Sequence, residues 1–212
     1  MATMPMFPLG SVLFPHMPTA LRIFEERYIV MLSEVLGEDP AEFGIVLIER
    51  GSEVGGGAQR FPVGTIAQIA QVQTAEGFIG LVAQGAGRIE VTDWLPDDPY
   101  PKAEVRAVEA LEYSDALDAL FDETAAAVRQ TISRASEFVE LQWSADTEID
   151  DDRQIAMWQL AGIAPLGPMD QVALLRSTSA EELLRETQRL TLEAAEMLTV
   201  SWDDDEFPTL ES

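Results

Sequence analysis

The chain has 212 residues, 38 Asp and Glu against 13 Lys and Arg, one histidine, no cysteine and a net charge of −25. That balance excludes a surface built to neutralise phosphate on nucleic acid or an anionic membrane, because such binding needs cations to replace counterions. The absence of cysteine excludes a disulfide, a thiol nucleophile and a thiolate metal site, while a 47% hydrophobic fraction suffices for an ordinary globular core.

The first 30 residues lack a basic start followed by a long apolar run, so no signal peptide is expected. No stretch approaches the roughly 20 apolar residues that span a bilayer, and a cytoplasmic protein is expected. Residues 1–112 read as a β-rich lobe of short apolar runs punctuated by Gly and Pro. Ala20-Leu21-Arg22-Ile23-Phe24 alternates as a strand does. From Glu25 the pattern changes: Tyr28, Met31, Leu32, Val35 and Leu36 form a helical stripe, with Glu25 and Glu26 in a first turn that favours negative charge. Gly37 is placed for a C-terminal cap. Phe43 to Glu49 is a nearly continuous apolar run, as in a strand buried on both faces. Val63 to Thr74 and Phe78 to Val91 predict two long strands joined by a hairpin turn at Ala75-Glu76-Gly77. Pro101 to Tyr113 alternates again, with Ala103, Val105, Ala107, Ala110 and Leu111 as inward positions.

Residues 113–202 predict a helical lobe. Ser114 to about Gln142 carries apolar residues at Leu117, Leu120, Phe121, Ala125, Val128, Ile132, Ala135 and Val139, a helix of about 40 Å at 1.5 Å per residue. Asp150 to Ala161 predicts a second helix and Met169 to Leu175 a short third. Ser179 to about Val200 predicts a fourth, opened by Ser179 and Glu182 at capping-box spacing. Short loops let these stripes bury against one another or on the barrel. Residues 203–212 form an acidic tail expected to be disordered.

The chemistry-bearing residues are few. Lys102 is the single lysine, in a Pro-Lys-Ala context expected at a strand start, so a serine–lysine peptidase pair is not supported. With His16 the single histidine, no HExxH zinc site is possible, and no G-x-S-x-G elbow is present. The glycine loop Gly51 to Gly57 lacks the Gly-Lys-Ser/Thr ending of a phosphate loop. The acidic runs Asp146 to Asp152 and Asp203 to Glu206 lack the spaced ligands and central glycine of a calcium loop. No catalytic residue, cofactor or metal site is assigned.

An ordered set of short motifs spans about 95 residues: Phe7-Pro8-Leu9, Leu13-Phe14-Pro15, Leu21 to Tyr28 (LRIFEERY), Phe43-Gly44-Ile45-Val46, Gly51, Glu53-Val54-Gly55, Val63-Gly64-Thr65, Gly85-x-Gly87-Arg88, Trp94-Leu95 and Pro99-Tyr100-Pro101. In order and spacing this set resembles the N-terminal, substrate-binding domain of Lon proteases. Ala164-Pro165-Leu166 and Leu174-Leu175 resemble that family's helical extension more loosely. Two positions depart from its pattern: His16 where glycine is common, and Glu26 where proline is common.

The resemblance implies an α+β fold, a PUA-like β pseudo-barrel followed by a helical bundle. It further implies a stand-alone, non-catalytic module that recognises unfolded or client polypeptides in protein quality control, with a protease or chaperone as a further partner. A small-ligand-binding regulatory domain on the same barrel is the alternative, because one fold hosts several functions. Phe7, Leu9, Phe14, Ile23, Phe24 and Tyr28 are core candidates; Arg22, Glu25 and Arg27 are a candidate charged network. A client surface needs exposed aromatic or methionine groups. The candidates are Phe14, His16 and Met17 in one loop, Phe61 beside the glycine loop, and Trp143 and Trp202 at helix ends.

Overall fold

A computed structural model describes residues 2–50 and 59–203 of the chain, with side chains over 2–49 and 59–197. The glycine loop, the tail from residue 204 and the side chain of Trp202 lie outside these.

Six strands make one mixed sheet: β1 (Ala2–Leu9), β2 (Pro18–Ile23), β3 (Glu42–Arg50), β4 (Gln59–Ala75), β5 (Phe78–Trp94) and β6 (Lys102–Ala107). β4 and β5 form the expected hairpin, closed by Glu76 and Gly77. Gly77 sits at φ +82, where a Cβ would be strained. The order β2-β5-β4-β3-β1-β6, with β5 also paired to β6, curls the sheet into a ring that is not evenly closed. β5 bonds β2 over Ile79 to Gln84 and β6 over Ile89 to Trp94, so one strand serves two neighbours on the same edge.

β1 was hidden by Pro5 and Pro8. It pairs antiparallel with β6 over Ala2 to Pro5 and parallel with β3 over Met6 to Leu9. Each half is laddered on one edge, which leaves an edge where a proline's missing N–H costs no bond. The Gly85-x-Gly87-Arg88 motif lies within β5.

Met6, Val46, Ile89, Val91, Ala103 and Val105, drawn from four strands of the ring, form a small core, with Ile66 of β4 packed on it. A second, larger core lies on the opposite face of the strands and continues into the helices. There α1 (Glu26–Val35) buries Tyr28, Met31, Leu32 and Val35. The Tyr28 ring packs on Phe7 at 4.4 Å between centroids, and Phe7 meets Phe43 edge-on at 6.1 Å. Gly37 does not take a left-handed cap conformation; the helix ends at Leu36 with ordinary right-handed angles (φ −68, ψ −11). Ala107 and Ala110, expected inward, are exposed, whereas Ala103, Val105 and Leu111 are buried.

The second half holds α2 (Asp118–Ala135), α3 (Arg153–Ile163), α4 (Pro168–Leu175) and α5 (Ala180–Asp203), with a 3-10 turn at Asp115–Leu117 before α2. α2 stops well short of Gln142, and Val139 is exposed. Arg129 donates to the carbonyls of Ala145 and Thr147, the latter at 3.1 Å. Those bonds hold the following chain back along α2, which a continued helix would forbid. Asp152 caps α3 by accepting from the Gln154 N–H at 2.9 Å. At α5, the Glu182 N–H donates to Ser179 Oγ at 3.1 Å, while Glu182 Oε2 accepts from both the N–H and hydroxyl of Thr178 at 2.7 Å. The capping box is thus closed one residue earlier than the sequence spacing implies. These bonds hold the Glu182 carboxyl below its ordinary pKa.

The α+β class, a barrel-like sheet followed by helices, agrees with the expectation. Among the described residues, no helix is long and apolar enough to cross a membrane.

Candidate functional site

The loop between β1 and β2 reverses the expectation placed on it. Phe14 and Met17 are 2% and 6% exposed, so they are core residues, not a presented surface. Thr65 Oγ1 donates to the Leu13 carbonyl at 2.6 Å, the His16 N–H to Gly85 O at 2.8 Å, and the Gly85 N–H to Met17 O at 2.9 Å. Pinned to β4 and β5, the loop turns Phe14 toward Trp158 of α3, 6.2 Å between centroids. Met17 packs where α3 carries Gly162; a Cβ there would lie 2.7 Å from Met17 Cγ. His16 takes a left-handed φ of 61, the conformation that glycine, common at this place in the resembling family, adopts without strain. Its half-buried imidazole is pushed below the ordinary pKa of 6.5 by desolvation, against the opposing pull of Asp150 and Asp152.

Phe61 is also buried, at 8% exposure, with the Arg176 guanidinium 5.5 Å from its ring centre. Trp143 is half-buried. Phe14, Met17 and Trp143 do meet, around a small cleft where the loop, α3 and the segment after α2 converge. Trp143 also lines a neighbouring cleft of about 280 Å³ with Gln142, Pro165, Leu166 and Gln171. Phe61 lines neither of these clefts. Among the described residues, no group of three or more His, Asp or Glu side chains could hold a metal.

A groove with an exposed aromatic on its rim lies elsewhere. A half-open groove of about 320 Å³ runs beside β2, walled by Phe7, Leu9, Tyr28 and the residues Ala20 to Glu25. Phe24 stands on its rim, 56% exposed. This corrects its placement in the core. Strand parity contained the signal: with Leu21 and Ile23 inward, Ala20, Arg22 and Phe24 face out. The charged trio divides its work. Glu25 accepts from Arg27 Nε at 3.0 Å, Arg27 also lies 4.5 Å over the Tyr28 ring, and Arg22 stacks 4.1 Å over Phe78. Burial raises the Tyr28 hydroxyl above its ordinary pKa of 10.0, so that ring stays neutral at physiological pH.

Comparison with known proteins places this geometry. The family model for the ATP-dependent protease La (LON) substrate-binding domain matches residues 3–192. Lon protease 2 of Herpetosiphon aurantiacus is 26% identical over 185 residues, covering 86% of this chain and 23% of that protein. Lon protease of Anaeromyxobacter dehalogenans is 32% identical over 111 residues, 51% of this chain and 13% of that protein. The chain therefore spans less than a quarter of the length of either relative. Among solved structures, a Lon N-terminal domain protein from Xanthomonas campestris superposes with a TM-score of 0.57 at 23% identity, over 95% of this chain and 99% of that one. The N-terminal domain of Lon protease from the Mycobacterium avium complex gives 0.64 at 18% identity, over 91% and 99%. With the family model spanning nearly its whole length, the chain belongs to the ATP-dependent protease La (LON) substrate-binding domain family.

Proposed function

We propose that this chain is a non-catalytic receptor for unfolded polypeptide, and that the groove beside β2 is where it binds. The observation that carries this reading is Phe24, a large aromatic held in solvent on the rim of an apolar groove. Keeping such a ring exposed forgoes the roughly 1.5–3 kcal/mol that burying it would contribute. An exposed aromatic beside an apolar trough is the arrangement that anchors a partner's apolar side chain. Family membership supports it, since the matched region is the substrate-binding one. On this reading residues 1–112 carry the groove and residues 113–202 brace it. The chain acts in the cytoplasm as an adaptor in protein quality control, handing clients to a protease or chaperone. Its charge of −25 favours basic clients and opposes nucleic acid or anionic lipid.

The test is site-directed crosslinking. Phe24 replaced by a photo-reactive phenylalanine should capture unfolded peptides from a panel, and the same probe at exposed Met169 should not. Equal capture at both positions, or at neither, counts against the groove.

The alternative, a small-ligand-binding regulatory domain, draws on the junction cleft, where Gln142 and Gln171 offer polar groups beside Trp143. A metabolite panel that quenches Trp143 fluorescence, with no peptide bound anywhere, would favour it.

A further inference from the structure

We infer that a client adds to this protein as an extra β-strand on the free edge of β2. This rests on the polypeptide-binding reading and specifies how the groove is used. β2 stands at the end of the sheet order and is laddered to β5 on one edge. Among the described residues, no strand pairs with its other edge. The groove lies along that edge, because Ala20 to Ile23 of β2 itself form one wall, and Phe7, Leu9 and Tyr28 line the rest.

The register assigns the free groups. In an antiparallel pair, alternate residues direct their N–H and C=O to the partner strand and the others direct them away. The Gly85 N–H donates to Met17 O, and the ladder continues as Thr19 opposite Ala83, Leu21 opposite Leu81 and Ile23 opposite Ile79. That phase turns the amide and carbonyl of Ala20 and Arg22 outward. It also turns outward the position of Pro18, which has no N–H to offer; a proline at the first residue of an edge strand fits this phase. An incoming extended segment would ladder to Ala20 and Arg22, and its alternate side chains would fall over Phe7, Leu9 and Tyr28 with Phe24 at the rim. At roughly 3.3 Å per residue the six residues of β2 accommodate about 20 Å of strand.

Charge decides the occupant. A second copy of this chain brings another −25, so edge-to-edge pairing of two copies is opposed by like charge. Within the groove, Arg22 and Glu25 offset each other, leaving an apolar trough in a negative field. The fitting occupant is an extended apolar segment flanked by lysine or arginine.

The experiment uses the full chain and a fluorescent peptide with alternating leucines between lysine flanks. Two further peptides carry N-methyl groups on one or the other set of alternate amides, and a fourth has glutamate flanks. One N-methyl set should weaken binding by about tenfold or more, and the other should leave it near the parent value. Glutamate flanks should weaken binding, with the gap narrowing as salt is raised. Ala20→Pro removes an outward N–H without touching the ladder to β5, and should weaken the parent peptide similarly while leaving the circular dichroism spectrum unchanged. If both N-methyl sets bind like the parent, strand addition is wrong although peptide binding stands. If the parent peptide and a broader panel fail to bind, the polypeptide-binding reading itself falls. Sedimentation that shows a dimer, abolished by Ala20→Pro and not competed by peptide, would assign the edge to a second copy and overturn the inference. The N-methyl arms require no protein variant, so they decide the matter even if Ala20→Pro does not fold.

Discussion

The Arg88 guanidinium lies 5.0 Å from the ring centre of Trp158, and this contact joins β5 to α3. The same guanidinium donates to three backbone carbonyls: Leu175 at 2.9 Å, Ser177 at 2.6 Å and Glu109 at 2.8 Å. Leu175 ends α4, Ser177 lies in the turn before α5, and Glu109 lies on the chain leaving β6. One buried cation therefore ties the sheet, the exit from the sheet and two helices together. Burial pulls its pKa below the ordinary guanidinium value, yet it stays charged at neutral pH.

Removing that fork leaves the buried Leu175 and Ser177 carbonyls, and the partly exposed Glu109 carbonyl, without their donor. Each unsatisfied group costs about 1–3 kcal/mol, so Arg88→Ala is expected to lose about 3 kcal/mol or more by urea denaturation. Arg88→Lys should recover little, because an ammonium cannot reproduce a planar fork that reaches three acceptors. A loss below about 0.5 kcal/mol for Arg88→Ala would show that the barrel and helices are held by apolar packing alone.

Gly162 and Met17 are coupled across the junction. A Cβ on Gly162 would sit 2.7, 3.0 and 3.1 Å from Met17 Cγ, Cε and Sδ. Gly162→Ala gains about 1 kcal/mol of helix propensity but meets an overpacking cost of about 1–3 kcal/mol. A net loss is expected. Shortening the opposing side chain makes room, so Gly162→Ala with Met17→Ala should be less destabilised than the sum of the single changes. A double-mutant cycle by thermal or urea melts measures this, and strict additivity would mean that the two residues do not press on each other.

How far the sequence could be read depended on how local the deciding interaction is. The β4–β5 hairpin was legible because Ala75, Glu76 and Gly77 carry their own turn chemistry between alternating runs. The stripe of α1 was legible for the same reason. β1 was not, since Pro5 and Pro8 argue against a strand unless the one-edge pairing is known. The end of α2 was misplaced by several residues because Arg129 overrides a continuing apolar pattern with bonds to Ala145 and Thr147. The candidate surface failed where exposure is set by distant partners. Nothing near Phe14 in the sequence announces that Thr65 and Gly85 fasten its loop down.

His16 gives a pH signature. Its folded pKa lies below the ordinary 6.5 because burial disfavours the cation more than Asp150 and Asp152 favour it. The unfolded chain therefore binds the proton first as pH falls. Stability is fully present above about pH 7 and declines as pH drops through 6.5 toward the folded value. His16→Gly removes both the titrating group and the left-handed strain at φ 61. The gap in melting temperature between the two proteins should be steady near pH 7 and widen as pH falls toward about 5, with the histidine protein falling more steeply. Parallel curves would mean that the imidazole is solvated equally in both states.

Phe24 and Phe14 provide the sharpest contrast, since they lie ten residues apart in neighbouring motifs and the structure buries one and exposes the other. Phe14 is packed against Trp158, and Phe14→Ala should cost about 3–5 kcal/mol through the cavity it leaves. Phe24 touches solvent over more than half its surface, and Phe24→Ala should move stability by less than about 0.5 kcal/mol. The order should reverse for binding. Truncating an anchor on a groove rim weakens affinity by about tenfold or more. Phe14→Ala, measured where it remains folded, should bind unfolded peptide much as the parent does, because Phe14 does not line the groove beside β2. Peptide titrations and urea melts on the same two variants separate a folding residue from a recognition residue. If Phe24→Ala binds peptide as tightly as the parent, the aromatic on the rim serves no client, and the groove beside β2 loses its strongest support.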